Sequence, residues 1–362
     1  MTLVVKLLTN LNKTVVQNSE RCSLFLFVLS LLWLLSACQP QVPNRQQAVF
    51  TGPIMGTEYR VTVISGVNIN QDKVRQAVLD AMNTVNQSMS NYLPDSEVSQ
   101  FNRLNAGIAF EMSADFTAVM QEAQQISVLS QGAFDVTLAK VIDAWGFGPD
   151  GDITEQPNSD ELTVLKQASG YHTLRLEGST ITKTQTGVEI SLSAIAKGYA
   201  VDKVAQAIES LGIVDYLVNI GGELRASGKT IDGHIWRVGI EKPHILGGIQ
   251  QIALLENQAI ATSGDYRNYL IVDGQQFSHT IDPITFKPVL HKLALVSVIA
   301  DRASTADALA TAMMAMGEVT AWEFAQSNNI AAYLIVRSET ALNNDKAPFD
   351  IKYTKEFERN LQ

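Results

Sequence analysis

The chain has 362 residues, is 46% hydrophobic and carries a formal net charge of -10, with a pI near 5.0. That length and apolar content suffice for a large core in one domain or two lobes. The acidic balance argues against a nucleic-acid partner, because phosphate backbones recruit basic surfaces.

Residues 1–37 read as an export signal. Lys6, Lys13 and Arg21 precede an apolar run over 24–35, which is too short to span a bilayer comfortably. A basic n-region followed by a short h-region is the pattern of a secretory signal. The run ends in Leu35-Ser36-Ala37-Cys38, which resembles the lipobox of bacterial lipoproteins, where the cysteine becomes the lipidated first residue. The expectation is cleavage before Cys38, lipidation of Cys38, and anchoring at the periplasmic face of the inner or outer membrane. A tether over 38–48, a globular body over 49–340 and a C-terminal tail over 341–362 would follow. Loss of Cys22 and acylation of Cys38 would leave no thiol for a disulfide or a nucleophile.

In the body, alternation over 59–64 predicts a first strand, and Val74, Val78, Met82 and Val85 recur at helical spacing. Ser113 is the expected cap of a second helix that buries Phe116, Met120, Ala123 and Ile126 and stops at Gly132. A short helix over 160–169, a hairpin turning at Gly178 and a strand over 188–192 come next. Ser193-Ala194-Ile195-Ala196-Lys197-Gly198 then opens a helix that closes at Gly212. Small residues at a helix start let backbone N–H groups approach a phosphate, and Lys197 adds a charge there. Taken alone, Lys197 reads as a solvated first-turn lysine. A strand over 213–220 ends in Gly221-Gly222, a bulge or a turn, and strands near 234–240 and 250–255 follow. This alternation of elements predicts a mixed α/β (α+β) body.

Asp273-Gly274 is the strongest hairpin signal in the chain. A two-residue turn there pairs Val272 with Gln275, Asn268 with His279, Arg267 with Thr280 and Asp265 with Asp282. Such a cluster of titratable groups at one hairpin end marks a functional site. His279 is the candidate general base, since an imidazole changes charge near neutral pH. Asp282 either orients it or joins a metal shell. His172, His234, His244 and His291 read as structural. A strand over 293–300 leads to a helix expected to be capped by Ser304, apolar on every side over 306–316 except at Asp307 and Thr311. A helix apolar all round is buried, and a buried carboxylate needs neutralising. Spaced four apart, Asp307 and Thr311 share a face and offer hard oxygen ligands suited to Mg²⁺. A cap or a buried hydrogen bond is the other reading of Asp307.

Several motifs in order resemble one family, the FAD:protein FMN transferases (ApbE family). They are Met55-Gly56-Thr57, Ser90-Asn91-Tyr92, Ala133-Phe134-Asp135-Val136-Thr137 and Trp145-Gly146-Phe147-Gly148, then the stretches 192–202, 219–223, 262–267, 278–283 and 306–311. The resemblance implies a T-fold-like architecture with two sheet-containing halves flanking a flavin site. It implies Mg²⁺-dependent transfer of FMN from FAD to a threonine hydroxyl of a target protein, with release of AMP. FAD contacts would come from Met55, Tyr92, Ala133, Phe134, Asp135, Ser191, Lys197 and Ile281, and the metal would be held by Asp307, Thr311 and the carbonyl of Ala194. Ser191 stands where the family usually has Asp, so it can hydrogen-bond but supplies no charge. The protein substrates implied are membrane-anchored subunits of sodium-pumping NADH:quinone reductase or of Rnf-type complexes. Two rivals are a Mg²⁺-dependent FAD pyrophosphatase and a non-catalytic flavin-binding lipoprotein. Asp307, Thr311 and His279 favour an enzyme over the latter.

Overall fold

Alternating strands and amphipathic helices assemble as their periodicities dictate. The computed structural model describes residues 45–362 apart from 67, 150, 152, 154, 244–246, 267–268, 273–274 and 339–348. The signal segment, Cys38, His244, Arg267, Asn268 and the Asp273-Gly274 turn lie outside the described residues.

The chain opens with strands β1 (Gln46–Ile54) and β2 (Thr57–Ser65), helices α1 (Gln71–Met89) and α2 (Glu97–Asn102), strand β3 (Ala109–Glu111) and helix α3 (Ala114–Leu129). Helices α4 (Ala139–Ala144) and α5 (Ser159–Gln167), the hairpin β4 (Leu174–Glu177) and β5 (Thr180–Lys183), and helix α6 (Ala196–Ser210) follow. Next are β6 (Asp215–Ile220), β7 (Glu223–Ser227), β8 (Trp236–Glu241), β9 (Ile249–Leu255) and β10 (Ala259–Gly264). The hairpins β11 (Tyr269–Val272) with β12 (Gln275–Ser278) and β13 (Ile281–Asp282) with β14 (Lys287–Pro288) precede β15 (Leu293–Ala300). Helix α7 (Ala303–Ser327), β16 (Ala331–Arg337), β17 (Phe349–Tyr353) and α8 (Lys355–Glu358) complete the chain.

Eight strands form one antiparallel sheet in the order β1-β2-β6-β7-β10-β15-β16-β17. It consists of two four-stranded halves, joined where β7 and β10 share only the pairs Ala259–Arg225 and Ile260–Leu224. Helix α6 belongs to the first half and α7 to the second, and the two helices pack on each other. The main core lies between this helical layer and the sheet. As their spacing predicts, Val74, Val78, Met82 and Val85 are the buried face of α1, and the Ser113 hydroxyl accepts from the Phe116 N–H at 3.2 Å to start α3.

Four expectations need correction. Residues 188–192 form no continuous strand: one edge makes only an isolated bridge to Leu138 and a Ser191 N–H bond to the Val136 carbonyl, and at buried Ile190 side chains stand in for a strand on the other edge. The Ile190 N–H donates to Asn102 Oδ1, and its carbonyl accepts from Asn102 Nδ2 and Asn91 Nδ2, each at 2.9 Å. Replacing Asn102 with alanine leaves the Ile190 N–H of a fully buried residue without an acceptor, while its carbonyl keeps Asn91, and this should lower stability by about 1–3 kcal/mol, read from the urea midpoint. Second, 341–362 is not simply a tail. Strand β17 pairs with β16 from Arg337–Phe349 to Tyr333–Tyr353, and Phe357 is fully buried. At the other end, β1 begins at Gln46, inside the expected tether. Third, α7 runs well past Met316 and breaks at Gly317, which has φ 75°. His291 sits at that break, its Nε2 2.7 Å from the Met314 carbonyl, and a Cβ on Gly317 would lie 2.9 Å from the ring. Fourth, Ser304 does not cap α7. Asp202 of α6 does so from outside, accepting the Ala303 and Ser304 N–H groups at 3.0 Å each and the Ser304 hydroxyl at 2.9 Å.

Candidate active site

The site forms where the two half-sheets and their helices meet. Gly221 and Gly222 have φ 64° and 107°, and Ile220 pairs with Glu223 across them, so they form a tight hairpin turn. Two successive left-handed positions favour glycine strongly. The turn delivers Glu223, 3% exposed, at the head of β7. Lys197 enters from the first turn of α6, and Asp307, also 3% exposed, from the first turns of α7. Lys197 Nζ lies 2.7 Å from Glu223 Oε1 and 3.8 Å from Asp307 Oδ1. The Gly198 N–H donates to Asp307 Oδ2 at 3.0 Å. Gly198 permits this approach, since a Cβ there would lie 2.3 Å from the Ala303 carbonyl oxygen.

Burial pushes the Asp307 carboxyl well up from its ordinary range and the Glu223 charge adds to that, while Lys197 and the Gly198 N–H pull it back. For Lys197, burial works against the ammonium, but Asp307 and Glu223 outweigh it and hold its pKa above the ordinary lysine value. The buried carboxylate that the apolar helix carries is thus only partly compensated, by a lysine it shares with Glu223.

Lys197, Glu223, Asp307 and Thr311 line a cavity of about 880 Å³, together with Ala133, Phe134, Asp135, Phe147, Ser191, Ala194, His279 and Ile281. Aromatic walls with a few converging polar groups suit a large planar ligand that carries a polar tail. The His279 ring packs edge-on against Phe147 at 6.4 Å between centroids. Asp135 lines the cavity, but its carboxylate accepts from Thr137 N at 2.8 Å, Thr137 Oγ1 at 2.6 Å and Tyr171 N at 2.8 Å, so it shapes its own loop. The Ser191 hydroxyl is 3.2 Å from Ser193 Oγ.

Three of the expected site residues stand outside this lining. Met55 forms the β1–β2 turn at φ 49° and packs on the core, and Tyr92 is 69% exposed. The Asp282 carboxylate accepts from Ile284 N and Thr285 Oγ1 at 2.8 Å each, which commits it to closing the β13–β14 turn. The expected register holds from Val272–Gln275 to Tyr269–Ser278 among the described residues. Asp265 is not beside Asp282. It makes a two-point ion pair with Arg337 at 2.6 Å per contact, and Asp282 pairs with Lys287.

Glu223 and Ser263 are the site residues that sequence reasoning assigned no role. Ser263 Oγ lies 3.4 Å from Thr311 Oγ1. The available signal for Glu223 was an acidic residue at the start of a strand, directly after two glycines. Among the described residues no group of three His, Cys, Asp or Glu side chains could hold a metal. The Asp307 carboxylate and Thr311 hydroxyl share the cavity wall with Ala194. This hard-oxygen set fits Mg²⁺, which takes one or two carboxylates and fills its shell with water and substrate phosphate.

The ApbE family model matches residues 55–334. The FAD:protein FMN transferase of Vibrio cholerae serotype O1 is 38% identical over 317 residues, covering 87% of this chain and 94% of its own length. That of Haemophilus influenzae is 38% identical over 314 residues, covering 84% and 90%. The solved structure of the flavin transferase ApbE from Vibrio cholerae matches with a TM-score of 0.80 at 36% identity, covering 88% of this chain and 100% of that one. The apbe protein from Thermotoga maritima matches at 0.77 with 26% identity, covering 88% and 100%.

Proposed function

The chain belongs to the ApbE family and is an FAD:protein FMN transferase, and from that premise we propose how its cavity performs the transfer and where. The observation that carries the reading is the Lys197–Glu223–Asp307 group, with both carboxylates buried, in the wall of a cavity that also holds His279. Lys197, kept charged by its two carboxylates, binds a phosphate oxygen of FAD. Phe134 and Phe147 supply apolar walls, and Ser191 hydrogen-bonds the adenosine part. His279 takes the proton of the acceptor threonine as the threonine oxygen attacks the FMN-side phosphorus. The bond from that phosphorus to the bridging oxygen breaks, and AMP leaves. Mg²⁺, held by Asp307, Thr311 and the Ala194 carbonyl, supplies neutralisation of the charge on the pyrophosphate. Asp282 holds the turn that follows His279, so we assign it a positioning role.

His279→Ala is expected to lower the transfer rate about 100-fold or more across neutral pH while FAD still binds. Unchanged rates would remove His279 from the reaction. Protein ligands alone do not fill an octahedral shell, so Mg²⁺ is expected to bind the flavin-free protein weakly and the FAD complex markedly more tightly by calorimetry.

The lipobox-like Cys38 supports a lipid-anchored enzyme at the periplasmic face, acting on membrane-anchored subunits of sodium-pumping NADH:quinone reductase or Rnf-type complexes. The deciding experiment mixes the protein with FAD, Mg²⁺ and a domain bearing the acceptor threonine. Covalent flavin with AMP supports the reading. Free FMN with AMP would instead mean a pyrophosphatase, and intact FAD a binding protein.

A further inference from the structure

Lys197 is shared unequally between two buried carboxylates. It is within hydrogen-bonding distance of Glu223 at 2.7 Å and only in electrostatic range of Asp307 at 3.8 Å. We propose that Lys197 is the resident counter-ion of Asp307 in the metal-free enzyme, and that Glu223 is the positioning residue that takes it over when a divalent cation arrives. The inference rests on the Mg²⁺ reading above.

Three observations carry it. The first is the charge of the group. Two carboxylates and one ammonium leave a net negative charge in a desolvated place, which attracts a dication. Without Glu223, Lys197 and Asp307 would close into a neutral pair, and the ammonium would occupy the oxygen that a cation needs. Next comes unused capacity. Glu223 Oε1 takes Lys197, while Oε2 is buried and has no hydrogen-bond partner. An ammonium has three donors, so a lysine released from Asp307 can engage both Glu223 oxygens. The last is the difference in freedom of the two sides. Glu223 is fixed at the head of β7 by the Gly221-Gly222 turn, and Gly198 N–H pins Asp307 Oδ2. The Lys197 side chain, 32% exposed on a flexible four-carbon stem, is the member free to move. It would leave Asp307 Oδ1 to the metal without leaving the site.

The test is direct binding of Mn²⁺ to the full FAD-free protein, followed by electron paramagnetic resonance, for wild type, Glu223→Gln, Lys197→Met and the double variant. Glu223→Gln should weaken Mn²⁺ binding about tenfold or more, as loss of a partner of a metal ligand does. Lys197→Met should tighten it. In the Lys197→Met background the Glu223→Gln loss should shrink to within about twofold. Wild-type affinity in Glu223→Gln overturns the proposal, and so does a full loss that persists without Lys197. Should Glu223→Gln not fold, Lys197→Met alone decides, because unchanged or weaker binding there overturns it. If wild type binds no Mn²⁺ even with FAD present, the Mg²⁺ reading falls and the proposal with it. If wild type binds and the variants follow another order, only the proposal falls.

Discussion

Asp202→Ala is expected to lower stability by about 3–5 kcal/mol, the range for removing one partner of a buried ion pair. Asp202 is 1% exposed and accepts from Arg225 Nη1 at 2.8 Å as well as from the Ala303 and Ser304 N–H groups. The residue at the N-cap position of α7, Arg302, makes no side-chain cap of its own. Alanine would therefore leave two amide N–H groups and a guanidinium without their acceptor at the point where α6 and α7 cross. The consequence reaches the site, because Asp307 and Thr311 lie only a turn or two into α7 and move with its start. Asp202→Asn keeps an acceptor and loses the charge, so it should fall between wild type and alanine. Urea unfolding of the flavin-free protein, paired with the transfer assay, tests this. A midpoint for Asp202→Ala equal to wild type would show that the cap is dispensable.

What the sequence disclosed, and what it hid, divides along the range of the interaction. The α1 face, the Ser113 cap and the β11–β12 register are local rules, because a 3.6-residue period, a capping hydroxyl and a two-residue turn act within a few positions. The motifs disclosed the neighbourhood of the site, and the buried helix disclosed Asp307. Hidden were the places where a distant side chain does a local job. Asn102 stands in for a strand beside Ile190, 88 positions away, and Asp202 caps a helix that starts 101 positions later. No window of sequence contains both partners. Asp282 misled for the opposite reason. Its turn with Thr285 is local, but extrapolating the hairpin register past Ser278 ignored the competing pull of Arg337 on Asp265. Glu223 lay within a recognised motif but drew no role, because one acidic residue after a Gly-Gly turn looks like any exposed hairpin end.

Asp307→Asn should separate what the site needs from what the fold needs. Transfer is expected to fall about 100- to 1,000-fold, the scale for removing one preorganised electrostatic contact from a reaction centre. The metal-free, FAD-free protein is expected to hold its stability at neutral pH or to gain. The asparagine carbonyl still accepts the Gly198 N–H, and Lys197 keeps Glu223 at 2.7 Å. The sign follows from the direction of the shift. Burial raises the Asp307 carboxyl above its ordinary 3.8, so the folded chain binds that proton more tightly than the unfolded chain. Wild-type stability therefore declines as pH rises from the ordinary carboxylate range through the raised value. Asparagine has no such proton, so the stability of the variant relative to wild type should climb across that window. Urea midpoints in chelator from pH 4 upward give the curve. If the variant instead lost ground as pH rose, Asp307 would be a stabilising ion-pair partner and no more. A carboxylate that weakens the empty protein and is required for transfer is kept for the ligand it meets, which is the stability–activity conflict expected of a preorganised site.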